Sequence, residues 1–181
     1  IEIENLNVTK NEISQANKSV PKKLKKAIKQ AKKNIEIFHK SQKTKTIKVE
    51  TTKGVVCWQK KYGIDKVGLY IPGGSAPLFS SILMLAIPAR IAGCKEIIIC
   101  SPPNKKGSLP AEILYTAKLC GISKIFKVGG IQAIAGMTFG TQKIPKVFKI
   151  FGPGNQYVTA AKQLATKFNV AIDLPAGPSE L

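Results

Sequence analysis

Arginine is almost missing: Arg90 is the only one among 29 basic residues, which face 10 acidic ones in a chain of 181. A formal net charge of +19 taken alone suggests a polyanion as partner, because clustered cations release counterions from nucleic acid. Base and phosphate readout favours the planar guanidinium, however, and the lysines are scattered over nearly every segment, with no interleaved aromatics and no nucleic-acid motif. A solvated lysine surface is the better reading; a lysine-rich nucleic-acid-binding protein stays as an alternative. Histidine is equally scarce. His39 stands alone beside Phe38, near the end of a helix, where a structural role is favoured over ligation, and one histidine builds no metal site. Cys57, Cys94, Cys100 and Cys120 show no C-x-x-C spacing, which excludes a zinc knuckle and a redox pair and leaves reduced core thiols. No apolar run reaches the roughly 18 to 20 residues of a membrane span, and the polar opening from Ile1 to Lys10 is no signal peptide. A soluble cytoplasmic protein without membrane or nucleic-acid partners is expected. With no initiator methionine, and with Pro178-Ser179-Glu180-Leu181 reading as the middle of an apolar strand, truncation at both ends is expected too.

The 44% of hydrophobic residues can fill a core, and their spacing sketches a fold. Thr9-Lys10-Asn11-Glu12 has capping-box spacing and predicts a short helix. From Pro21 to Phe38, Leu24, Ile28, Ala31, Ile35 and Phe38 recur at steps of four and three, which predicts an amphipathic helix with one buried stripe. Thr46 to Glu50 alternates polar with apolar, Gly54 supplies a turn, and Val55 to Trp58 reads as the return strand of a hairpin. Near residues 62–67 the lysines thin out. Short, almost wholly apolar strands follow at 67–71, 96–100, 124–128, 147–151 and 170–174, with helices between them at 78–92, 110–119, 132–139 and 156–168. Strict alternation predicts an α/β, doubly wound parallel sheet with right-handed crossovers over 67–181, preceded by part of a second α/β domain over 1–66. The stripe of the 21–38 helix is expected to be under-packed, its completing strands lying elsewhere.

Ligands of such sheets bind in the crevice beyond the carboxyl ends of the strands. The loops there read Pro72-Gly73-Gly74-Ser75-Ala76-Pro77, Ser101-Pro102-Pro103, Gly129-Gly130-Ile131-Gln132, Gly152-Pro153-Gly154-Asn155 and Pro175-Ala176-Gly177-Pro178-Ser179. Glycines let backbone approach a ligand, and the helices that begin next turn free N–H groups toward a phosphate, although any one loop could be no more than a tight turn. None is G-x-G-x-x-G, so a dinucleotide here needs another geometry. Tyr70, Gln132 and Asn155 each sit beside a glycine at a strand end: the Tyr70 ring could stack and its hydroxyl donate, and the two amides could donate and accept. Asn155 could equally cap its helix, and Ser179 could be a plain turn serine.

The stretches from Val67 to Leu78, Gly129 to Ala135, Phe151 to Asn155 and Ile172 to Glu180 together resemble the signature segments of the histidinol dehydrogenase family, in that family's order and approximate spacing. The resemblance runs from about Lys66 to Leu181 and more loosely through Asn34 to Gln42. It implies an incomplete Rossmann-like domain, and an intact enzyme that oxidises L-histidinol through histidinal to L-histidine, the last steps of histidine biosynthesis, with two NAD reduced. It further implies that Tyr70, Gln132 and Asn155 contact NAD, that Ser179 contacts substrate, and that the full-length enzyme is a zinc-dependent homodimer. Gly136, where the family more often has alanine, loosens its helix by under about 1 kcal/mol. The family's zinc ligands and its Glu-His proton-handling pair follow the Ala-Gly-Pro-Ser-Glu stretch, so no catalytic or metal residue is assigned in this chain, which alone should be inactive. The family needs no cysteine nucleophile, which weighs against Cys100 as one. A nucleotide-binding α/β module without catalysis is the other alternative.

Overall fold

The computed structural model describes residues 6–74 and 76–174. Helix α1 (Lys10–Ser19) starts at the capping box: the Glu12 amide donates to the Thr9 hydroxyl at 3.1 Å, and the Thr9 amide donates to Glu12 Oε2 at 2.7 Å. Burial raises the Glu12 pKa, but the Thr9 bonds and the Lys127 ammonium, 3.2 Å from Oε1, outweigh it and hold the carboxyl below its usual value. Helix α2 (Lys22–Ser41) carries the lysine-rich face outward. Hairpin strands β1 (Ile47–Thr52) and β2 (Val55–Gln59) pair antiparallel, Val49 opposite Cys57, and every residue of both is exposed.

The main sheet contains β3 (Lys66–Tyr70), β4 (Glu96–Ser101), β5 (Ile125–Lys127), β6 (Lys149–Phe151) and β7 (Ala171–Ile172), in the order β5-β4-β3-β6-β7 with every neighbour parallel. Between successive strands run α3 (Phe79–Ala92), α4 (Ala111–Leu119), α5 (Gly130–Phe139) and α6 (Gln156–Ala165), the last prolonged by a 3₁₀ turn at Thr166–Phe168. The doubly wound parallel sheet that the alternation predicts is present. Its third and fifth strands are shorter than their apolar runs, and α5 begins two residues early, at the Gly129-Gly130 turn. The chain steps outward from β3 to β5, then returns to the other side of β3, so the strand order reverses between β3 and β6.

One face of the sheet is covered twice. Ile82 and Leu83 of α3 and Ile113 and Leu114 of α4 pack on Leu69 and Ile99, and Ala16, Val20 and Ile28 of the first two helices join the same buried cluster. Leu24, Ala31 and Ile35 pack against it as well, so the stripe expected to stand open is filled. The reason is that α3 is apolar nearly all round and offers α2 a second face. Only at the end of α2 do Ile37 and Phe38 remain exposed. Residues 6–8 add a further tie: the Val8 amide donates to the Ile125 carbonyl at 2.9 Å and the Lys127 amide to the Leu6 carbonyl at 2.6 Å, which covers the edge of β5. Among the described residues the opposite face carries α5 and α6 alone, with Ile98, Cys100 and Ile150 buried under Ala133, Ile134, Met137 and Val158.

Candidate functional site

Strand β3 ends in Tyr70, β4 in Ser101, and the turns that follow border a cavity of about 560 Å³, which Gly130 and Asn155 reach from the turns after β5 and β6. Its lining includes the residues at which four helices begin: Leu78 before α3, Pro110 before α4, Gly130 as the first residue of α5, and Asn155 before α6. Each helix start carries unpaired amides and the positive end of a dipole, so the cavity favours an anionic ligand.

Packing among the loops explains Gly73, Gly129 and Gly152 in a way their spacing does not disclose. Pro102 is wedged between two turns: a Cβ on Gly73 would lie 2.7 Å from its Cγ, and one on Gly129 would lie 2.4 Å from its Cβ. Gly152 has φ +132, and a Cβ there would lie 2.0 Å from the Tyr70 carbonyl oxygen, so no other residue fits. Gly74 differs, since no described residue lies within 4 Å of its would-be Cβ, and it lines the cavity. The glycines expected to admit a ligand mainly let loops touch one another, and Gly74 is the one whose backbone faces open space.

Tyr70 is 4% exposed, yet lines the cavity, and its hydroxyl accepts from the Gly130 amide at 3.1 Å, which ties β3 to the start of α5 and leaves its own proton to donate. Asn155 lines the cavity too. Its Oδ1 accepts from the Val158 amide at 3.0 Å, so it is the cap of α6, and the amide nitrogen remains a donor. Gln132 is not in the lining. It stands exposed in the first turn of α5 and borders the groove between α5 and α6, although its Oε1 reaches 3.0 Å from where a Cβ of Gly130 would sit. The structure thus brings Tyr70 and Asn155 onto one cavity and leaves Gln132 at its rim. Ser179 lies outside the described residues.

Two charged residues not assigned to the site from the sequence, Lys162 and Asp173, hold the turn after β6. Lys162 donates to the Gly152 carbonyl at 2.7 Å and pairs with Asp173, whose Oδ2 accepts from the Gly152 amide at 2.7 Å. An apolar helix position filled by lysine was the available signal. Cys100, fully buried in β4, has its thiol pushed up to about 12 by burial and stays protonated, which removes it as a nucleophile. The lone arginine, Arg90, donates to the Gly121 carbonyl at 2.6 Å and closes the end of α4. Among the described residues no three of His, Cys, Asp and Glu come together as a metal site would require, and no helix is long and apolar enough to cross a membrane.

A five-stranded parallel sheet in this order, with helices on both faces, defines a Rossmann-like α/β fold. The histidinol dehydrogenase family model matches residues 1–181, and the chain belongs to that family. It is 64% identical over 180 residues to histidinol dehydrogenase of Bacteroides fragilis strain YCH46, covering 99% of this chain and 42% of that protein. With histidinol dehydrogenase of Pasteurella multocida strain Pm70 the identity is 53% over 179 residues, covering 99% and 41%. The crystal structure of histidinol dehydrogenase from Elizabethkingia anophelis superposes with a TM-score of 0.94 at 58% identity, over 96% of this chain and 40% of that one. The chain therefore spans about two fifths of the length of the curated relatives it matches.

Proposed function

We propose that this chain is the NAD-binding portion of a histidinol dehydrogenase, a cytoplasmic enzyme of histidine biosynthesis that oxidises L-histidinol through histidinal to L-histidine. The observation that carries the reading is the cavity at the carboxyl ends of β3 and β4, bordered by helix starts, in a chain matched by the family model from end to end. In this reading residues 67–181 are the dinucleotide domain, and residues 1–66 contribute to a first α/β domain. The longer protein acts as a homodimer.

NAD fits the cavity in kind: Gly74 leaves room for it, and the helix starts suit its pyrophosphate. When bound, NAD supplies the hydride acceptor, used twice per histidinol. Tyr70 donates its hydroxyl proton to the ligand while holding Gly130, and Asn155 donates from its amide while capping α6. Gln132 reaches the ligand over Gly130, and Ser179 meets the substrate. Among the described residues no three of His, Cys, Asp and Glu come together; in this reading, as the family resemblance implies, the zinc ligands and the proton-handling pair are supplied by the remainder of the longer protein.

The test follows NADH absorbance with histidinol, NAD and zinc, for the full-length protein and for residues 1–181 alone. Turnover is expected from the first and not from the second. Asn155→Ala in the full-length protein should raise the KM for NAD roughly five- to tenfold, through one lost hydrogen bond and a weakened cap. A full-length protein that binds NAD without oxidising histidinol would favour a nucleotide-binding module lacking catalysis. Full activity from residues 1–181 would contradict the assignment of catalytic groups to the rest of the protein.

A further inference from the structure

Of the 29 basic residues only Lys127 and Lys162 are buried among the described residues, and Lys162 is the deeper, 5% exposed. A buried ammonium is costly unless paired and hydrogen-bonded, so its place in α6 calls for a reason beyond solubility. Its ammonium grips the Gly152 carbonyl while the carboxylate of Asp173, just past β7, grips the Gly152 amide. The two side chains also meet as an ion pair, through the Asp173 oxygen that Gly152 does not use. Both polar groups of one glycine are thus held, and that glycine has the left-handed φ of +132 which presses it against the Tyr70 carbonyl. Lys162 sits seven residues after Asn155, two turns along the same helix, so α6 reaches back to fix the turn from which it springs.

We propose that Lys162 and Asp173 are positioning residues: an ion pair of a buried ammonium and a half-buried carboxylate that sets the shape of the Gly152-Pro153-Gly154-Asn155 turn and thereby aims Asn155 into the cavity for the dinucleotide. This rests on the nucleotide reading above. The pair touches neither the cavity lining nor the reacting atoms; it acts through Gly152, the residue whose backbone has least freedom to move. Spanning the strand-order reversal, it links β6, α6 and β7 to the carbonyl end of β3.

The experiment uses the full-length protein with Lys162→Met, Asp173→Asn and the double variant. Each single change leaves its partner unmatched, a buried ammonium or a half-buried carboxylate, and is expected to lower the melting temperature, more for Asp173→Asn; the double change removes both charges and should recover most of it. The positioning role is read in two other quantities. Without NAD, the Gly152 amide should exchange at least roughly tenfold faster in the double variant, since its charged acceptor is gone. With NAD, the dissociation constant and KM should rise about tenfold while kcat at saturating NAD changes far less, as for lost binding shared by ground and transition states. A double variant that keeps parental Gly152 exchange and parental NAD affinity overturns the clamp. A parent that binds no NAD overturns the nucleotide reading and with it the positioning role.

Discussion

The two faces of the main sheet are built to different degrees. On one, α3 and α4 lie on the strands and α1 and α2 lie on the helices, so that Ile28, Ile82 and Ile113 are each at most 2% exposed. On the other, α5 and α6 cover the strands and nothing described here covers them: Ile131, Phe139, Tyr157, Leu164 and Phe168 stand between 47% and 65% exposed along the groove they share. The cavity lies where the two halves meet, with Tyr70 and Ser101 from the strands and helix starts from both sides. A rigid sheet core thus supports the loops, while the outer surface of α5 and α6 is left apolar and open.

The largest change expected from a single substitution lies at that junction. Gly152→Ala puts a methyl group 2.0 Å from the Tyr70 carbonyl oxygen in a backbone region L residues avoid, and should cost more than about 3 kcal/mol, read by urea unfolding. The two faces separate next. Ile82→Ala, on the covered face, should cost about 2 to 5 kcal/mol, whereas Leu164→Ala, on the open face, should stay within about 1 kcal/mol. Equal costs would break the comparison.

A smaller effect is tied to pH. Glu96, at the start of β4, is held below its usual pKa first by the hydrogen bond from Lys124 at 2.5 Å, against a burial penalty, and then by the charges of Lys124 and Lys66. A depressed carboxylate stabilises the fold above its unfolded pKa of about 4.3, and that contribution is lost as pH falls through the folded value. Glu96→Gln should therefore lower stability at pH 7 by under about 1 kcal/mol and leave acid unfolding less steep, measured by melting temperature against pH. Smallest of all, Gly136→Ala should change stability by under about 1 kcal/mol, since the gain in helix propensity is offset by the shift required of Cδ1 of the buried Ile144, 3.0 Å from the new methyl group.

Local pattern made much of this fold legible. The Thr9 capping box, the stripe of α2, the hairpin turn at Gly54 and the β-α alternation all depend on residues a few positions apart, and all are present. Tyr70 and Asn155 were legible as cavity residues because both stand where a strand meets a glycine turn. What stayed hidden depends on residues far apart in the chain. Leu6 to Val8 covering β5, Pro102 wedged between Gly73 and Gly129, and Lys162 paired with Asp173 each follow from the closed sheet and from no spacing. Gln132 shows the converse: its place beside a glycine pair put it at the rim, but the early start of α5 turned it toward α6. The packed stripe of α2 was misjudged because α3 offers a second apolar face that periodicity along α2 cannot report.

The most direct test of the nucleotide site is amide hydrogen exchange of the full-length protein with and without saturating NAD. Slowed exchange concentrated in the amides of Gly73, Gly74, Asn104, Gly129 to Gln132, Gly152, Gly154 and Asn155, with the β1–β2 hairpin and the outer groove of α5 and α6 unchanged, is the expected result. Protection confined to the hairpin or to that groove, with the four turns exchanging as before, would contradict it.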